Sequence, residues 1–114
     1  MSPPQGVRVV MTRPVHEWAE LEPERQAWLA RCLRRHCTGD WGDLDPADWT
    51  ANDSAARCGC GRLLSAYRVP FELASISADT TVWIITDDLE DPDTATTILW
   101  PSDYVRHEAL GTVR

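Results

Sequence analysis

The residues best equipped for chemistry lie between Cys32 and Cys60. His36 stands four positions before Asp40 and seven before Asp43, with Asp45 and Asp48 following closely. A histidine among clustered carboxylates supplies the side chains of general acid/base catalysis and of metal-assisted hydrolysis. One reading is therefore a small metal-assisted hydrolase or metal-binding protein built on His36, Asp40 and Asp43. Calcium fits poorly, because the acids are spaced by three, two and three residues and the glutamate that closes a helix-flanked calcium loop is absent. Cys32, His36, Cys58 and Cys60 form a weak zinc alternative: the first two are a helical turn apart, but a single residue separates the last two, whereas structural zinc knuckles use about two to four. The chain contains no phosphate-binding glycine loop, nucleophile elbow or dinucleotide fingerprint. The expectation is no catalytic residue, no bound metal and no cofactor.

Helix ends account for most of the same residues. Glu22-Pro23-Glu24 suits a helix start, since proline fits the first turn and acids favour the positive end of the dipole. Trp28, Leu29, Cys32, Leu33 and His36 then mark one apolar face, Arg34 and Arg35 suit the last turn, and Gly39 is a natural stop. The first helix is expected over 22–37. Asp45 before Pro46, with Asp48 at the capping-box position, opens a second helix running to about Arg57 and ended by "CGCG". Capping leaves "GDWGD" (Gly39–Asp43) unexplained, and Trp41 within it has two readings: packing over the corner between the helices, or contacting a partner, because tryptophan is enriched in binding hot spots.

The hydrophobic period then changes. "RLLSAYRV", "TTVWIIT" and "TATTILW" alternate and are rich in β-branched and aromatic residues, so they read as three antiparallel strands. "GVRVVMT" (Gly6–Thr12) is a further short strand suited to a sheet edge. Both faces of Thr80–Thr86 are apolar, which places that strand centrally. It is covered on both sides, or on one side with a partner on the other. Pro70–Asp79 reads as a loop insertion, and the chain after Trp100 as a short helix capped by Ser102. The resulting expectation is a single α+β domain with two helices packed on a three- to four-stranded antiparallel sheet. It divides into an N-terminal strand and linker (1–20), a helical pair (21–60), an antiparallel meander (61–104) and a C-terminal tail (105–114).

Of the formal net charge of −7, residues 36–105 carry −10, offset by small positive sums on either side. Nucleic-acid binders need a basic stripe to displace counterions, and only Arg31, Arg34 and Arg35 resemble one, so direct nucleic-acid binding is not expected. A protein partner with a basic surface is. The acids Asp87, Asp88, Glu90, Asp91 and Asp93 crowd one hairpin tip and, with Asp40, Trp41 and Asp43, form the expected partner-binding set. No apolar run is long enough for a membrane span and the N-terminus lacks a signal-peptide core. The expected location is the cytoplasm, where the four cysteines would be reduced. A homodimer is compatible with these features.

The blocks "RHCTGDWGDLDPADWTANDSA", "GRLLSAY", "WIIT" and "TTILWPSDY" together resemble a family of small uncharacterised proteins carried by plasmids, phages and other mobile elements. The likeness spans Arg35 to Tyr104, with Pro70–Asp79 as an extra loop. It implies a setting more than a mechanism, and cysteines are not part of that family's pattern, which weighs against zinc. Short acidic mobile-element proteins without catalytic motifs are often inhibitors of host defence, CRISPR effectors or restriction enzymes, whose nucleic-acid channels are basic. The resemblance thus implies a stoichiometric anti-defence inhibitor acting through an acidic surface.

Overall fold

A computed structural model of the protein describes residues 8–75 and 80–104. Strand β1 (Arg8–Met11) leads directly into helix α1 (Arg13–Glu20), followed by α2 (Pro23–Cys37) and α3 (Pro46–Cys58). Strands β2 (Leu63–Arg68), β3 (Thr81–Thr86) and β4 (Ala95–Leu99) then form one four-stranded sheet in the order β1-β4-β3-β2. The meander β2-β3-β4 is antiparallel as its alternation implied, and β3 is central.

The architecture is α+β, with two corrections. First, the sheet is mixed, because β1 pairs parallel to β4. The helices carry the chain from β1 across the sheet to β2, a crossover that leaves those two strands pointing the same way. The meander makes β2 parallel to β4, so β1 must run parallel to β4 as well. Second, residues 13–20 are a helix and not a linker. Val15, Trp18 and Ala19 are its buried residues, and spacing of three and one places them on a single helical face.

Helices α1 and α2 cover one sheet face. Val15, Trp18, Trp28, Leu29 and Cys32 pack there on Tyr67, Val82, Ile84 and Ile98. Val82 and Ile84 are wholly buried, each contributing about 1.5–3 kcal/mol of transfer free energy. Trp18 meets Trp28 and Trp100 edge to face, with centroids 6.2 and 5.2 Å apart. On the opposite face Ile85 and Leu99 are buried, and Tyr104 packs edge-on to Trp83 at 5.8 Å. The central strand is thus apolar on both faces, with Trp83 left partly exposed on the second.

Arg25 fastens the helical layer to the segment after β2. Its Nε donates to the Leu73 carbonyl and its Nη1 to that of Trp18, both at 3.0 Å, while Glu22 takes Nη2 at 3.1 Å. The described part of the expected insertion is therefore anchored: Phe71–Leu73 form a 3₁₀ turn and Leu73 is buried. Residues 76–79 lie outside the described residues, as does the chain after 104. The helical turn at 101–104 starts at Pro101. Its cap is Asp103, whose Oδ2 accepts from the Trp100 amide at 3.1 Å and the Thr12 hydroxyl at 2.7 Å. The helix expected after Trp100, with Ser102 as its cap, falls mostly on residues 105–114, outside the described residues.

Candidate functional site

The corner after α2 is built from its backbone outward. Gly39, at φ +87°, reverses the chain, and the Asp40 amide returns to the Arg35 carbonyl at 2.9 Å. The Asp40 carboxylate grips Arg35 at Nε (2.8 Å) and Nη2 (3.1 Å) and also accepts from the Gly42 amide. The Arg35 hydrogen bond holds this carboxyl below its usual range. Tyr67 donates its hydroxyl to the Asp40 carbonyl at 2.7 Å beneath the Arg35 guanidinium.

Trp41 takes the packing role. Its ring is 2% exposed, lies edge-on to His36 and donates Nε1–H to Asp53 Oδ1 at 2.9 Å. Burial and the Asp53 hydrogen bond thus account for Trp41 by packing over the corner between the helices, the first of its two readings.

The remainder of "GDWGD" closes the outer edge of β2. Gly42 bridges Ala66, whose amide donates to the Trp41 carbonyl (3.1 Å) and whose carbonyl accepts from the Asp43 amide (2.7 Å). Asp43 Oδ2 accepts from the Arg68 amide at 2.8 Å. Further along, the Asn52 amide both donates to and accepts from the Leu64 backbone, at 2.6 and 3.2 Å. Residues 64, 66 and 68 have their outward backbone groups on that edge: the amides of all three and the carbonyls of Leu64 and Ala66 are met. An open strand edge is a template for unwanted pairing, so the aspartate-rich stretch serves as an edge cover.

His36 is 3% exposed. Its Nδ1 lies 2.6 Å from Ser65 Oγ and its Nε2 2.9 Å from Thr86 Oγ1, which in turn is 2.8 Å from Thr96 Oγ1. Burial pushes its pKa down to about 4, leaving a neutral imidazole at neutral pH. The hydrolase constellation is not assembled, because His36 turns into this hydroxyl chain while Asp40 and Asp43 bind Arg35 and the β2 edge. The weak zinc set is not assembled either. Cys58 and Cys60 are joined by a disulfide, correcting the expectation of four reduced thiols, and among the described residues no group of three or more suitable side chains could hold a metal ion.

Beside His36 opens a cleft of about 450 Å³. Gly39 and Trp41 of the corner line one side, Leu89 and Thr94 of the β3–β4 hairpin the other, with Thr86 and Thr96 at the base. That cleft was not foreseen. Its signal was two threonines in the inward-facing, otherwise apolar rows of β3 and β4.

The hairpin tip is held by its own backbone. Asp88 Oδ1 accepts from the Glu90 amide, Asp91 Oδ1 from the Asp93 amide, and Thr94 Oγ1 from the Asp88 amide, at 3.0, 2.8 and 2.9 Å. Leu89 ties it to the end of α3 through the Gly61 carbonyl. Asp87, Asp88, Glu90, Asp91 and Asp93 are all exposed, and none forms an ion pair among the described residues. Phe71, 93% exposed on the 3₁₀ turn, is an apolar surface residue that sequence reasoning passed over. Among the described residues no helix is long and apolar enough to cross a membrane. Set against known proteins, the chain matches no protein family, no curated protein and no solved structure.

Proposed function

We propose that this protein acts by stoichiometric binding to a protein partner with a basic surface, using the acidic β3–β4 tip as its main contact. One observation carries the reading: five exposed carboxylates share a hydrogen-bonded turn, and among the described residues none of them has a basic partner. A fixed array of like charges steers a complementary surface and loses little entropy on docking. Asp40 contributes less than its sequence position implied, being neutralised by Arg35, and Asp43 is committed to the Arg68 amide.

Together with the resemblance to mobile-element proteins, this charge array supports a partner among host defence proteins, a CRISPR effector or restriction enzyme whose basic channel the tip would occupy. The proposed setting is the cytoplasm. The test is an affinity pulldown from a defence-carrying host, with mass identification and a variant in which Asp87, Asp88, Glu90, Asp91 and Asp93 are all replaced by lysine. A defence protein should be retained by the native chain and lost by the variant. Equal retention by both would refute the acidic-tip reading.

A further inference from the structure

Cys58 and Cys60 are bridged across a single glycine, with Cα atoms 5.1 Å apart. Such a short bridge restrains the unfolded chain little, because loop-closure entropy grows with loop length. Helix capping does not require it either. Gly59 adopts the left-handed conformation at φ +70° and its amide reaches the Ala55 carbonyl at 2.9 Å, a termination that glycine makes by itself.

What the bridge constrains is the path of the chain as it leaves α3. One residue later, the Gly61 carbonyl accepts from the Leu89 amide at 2.8 Å. That hydrogen bond fastens the acidic tip to the α3 end. Gly59 and Gly61 both have positive φ, and a Cβ at either would meet nothing within 4 Å, so the turn has room to rearrange.

Accessibility sets this pair apart from the other cysteines. Cys32 is buried, and burial pushes its thiol up to about 12. Cys37 is exposed but has no disulfide partner. Cys58 is exposed and Cys60 partly so, within reach of a small thiol. Exposed disulfides are the ones that exchange readily.

We propose that Cys58–Cys60 is a reversible thiol–disulfide site that exchanges with a low-molecular-weight thiol and its disulfide, and that its state sets how firmly the hairpin tip is fastened at Leu89. In the reducing direction, the thiolate of one small molecule attacks the Sγ of one cysteine. The protein S–S bond breaks, and the other cysteine leaves as a thiolate and takes a proton. A second small thiolate attacks the mixed disulfide, freeing the first cysteine and departing as the small-molecule disulfide. Two electrons thus pass from two thiols to the protein, and oxidation runs the same steps backwards. This inference goes beyond the docking proposal and does not depend on it.

The test uses the full chain in glutathione buffers from fully reduced to fully oxidised. Alkylation and mass mapping count the free thiols, and amide hydrogen exchange is followed at Leu89. Cys58 and Cys60 should lose their alkylation together in the oxidised buffer and regain it on reduction. The Leu89 amide should exchange roughly tenfold faster in the reduced protein, as expected when a local opening becomes easier. The double variant Cys58→Ser with Cys60→Ser should show the fast rate in both buffers. A pair that stays alkylatable in the most oxidising buffer overturns the site. A pair that cycles while Leu89 exchanges at one rate overturns the coupling. No partner is present in this experiment, so its failure and that of the docking proposal are separate results.

Discussion

At the scale of single residues, His36 and Gly42 carry the clearest consequences. The imidazole is held neutral by burial, at about 4 against an ordinary 6.5. As pH falls through 6.5 the unfolded chain takes up a proton that the folded chain refuses until near 4, so acid favours unfolding across that window. The stabilisation is complete above 6.5, declines between 6.5 and 4, and amounts to roughly 3 kcal/mol over the interval. Urea unfolding at a series of pH values should trace this loss, and His36→Gln, which cannot titrate, should flatten it. Gly42 is constrained differently. At φ +79°, an added Cβ would collide with the Ala66 carbonyl oxygen and stand 2.6 Å from Tyr67 Cδ1. Gly42→Ala should therefore cost about 2–4 kcal/mol, whereas Gly59→Ala, in open space, should cost only about 1 kcal/mol through its backbone. Thermal unfolding of the two variants side by side checks the ranking.

At the scale of elements, the edge of β2 explains why the aspartates and Asn52 stand where they do. Asn52→Leu removes both hydrogen bonds to the Leu64 backbone. It should cost about 2 kcal/mol from the unmet groups and leave an open edge prone to pairing between chains. Thermal unfolding combined with light scattering at several protein concentrations would show both effects; an unchanged melting temperature would contradict the edge-cover role. This element also shows how far the sequence could be read. The boundaries of α2 and α3, the Asp45 cap and the β2-β3-β4 meander were legible because periodicity and capping are local signals. Helix α1 was missed although Val15, Trp18 and Ala19 carry helical spacing, because Pro14 and its short length favour a linker. The parallel pairing of β1 was not legible, since strand direction follows from where the helices deliver the chain. The edge cover was hidden for the same reason: the partners of Asp43 and Asn52 lie on β2, 12 to 25 residues away. Asp40, Asp43 and Asp45 looked like chemistry because the donors to their carboxylates, backbone amides and Arg35, leave no trace in side-chain spacing.

At the scale of the whole molecule, charge is segregated more than it is large. The net charge of −7 conceals a middle segment of −10, in which Asp40 is paired with Arg35 while the Asp43 carboxylate is held by the Arg68 amide. The densest group of exposed acids, Asp87, Asp88, Glu90, Asp91 and Asp93, stands at the hairpin tip. Attraction from such a site acts before contact, so its signature lies in the association rate and not in the lifetime of the complex. Screening shortens from about 30 Å at 0.01 M salt to about 8 Å at 0.15 M. Association with a basic partner should accordingly slow by on the order of tenfold or more across that range, with a nearly constant dissociation rate. Neutralising the tip by Asp→Asn at 87, 88, 91 and 93 and Glu→Gln at 90 should remove most of that salt dependence while leaving the melting temperature nearly unchanged, because these side chains are exposed. Stopped-flow association at four salt concentrations separates the alternatives. A rate that ignores salt in the native chain would mean that the tip does not steer the encounter, and attention would move to the exposed Phe71 side chain.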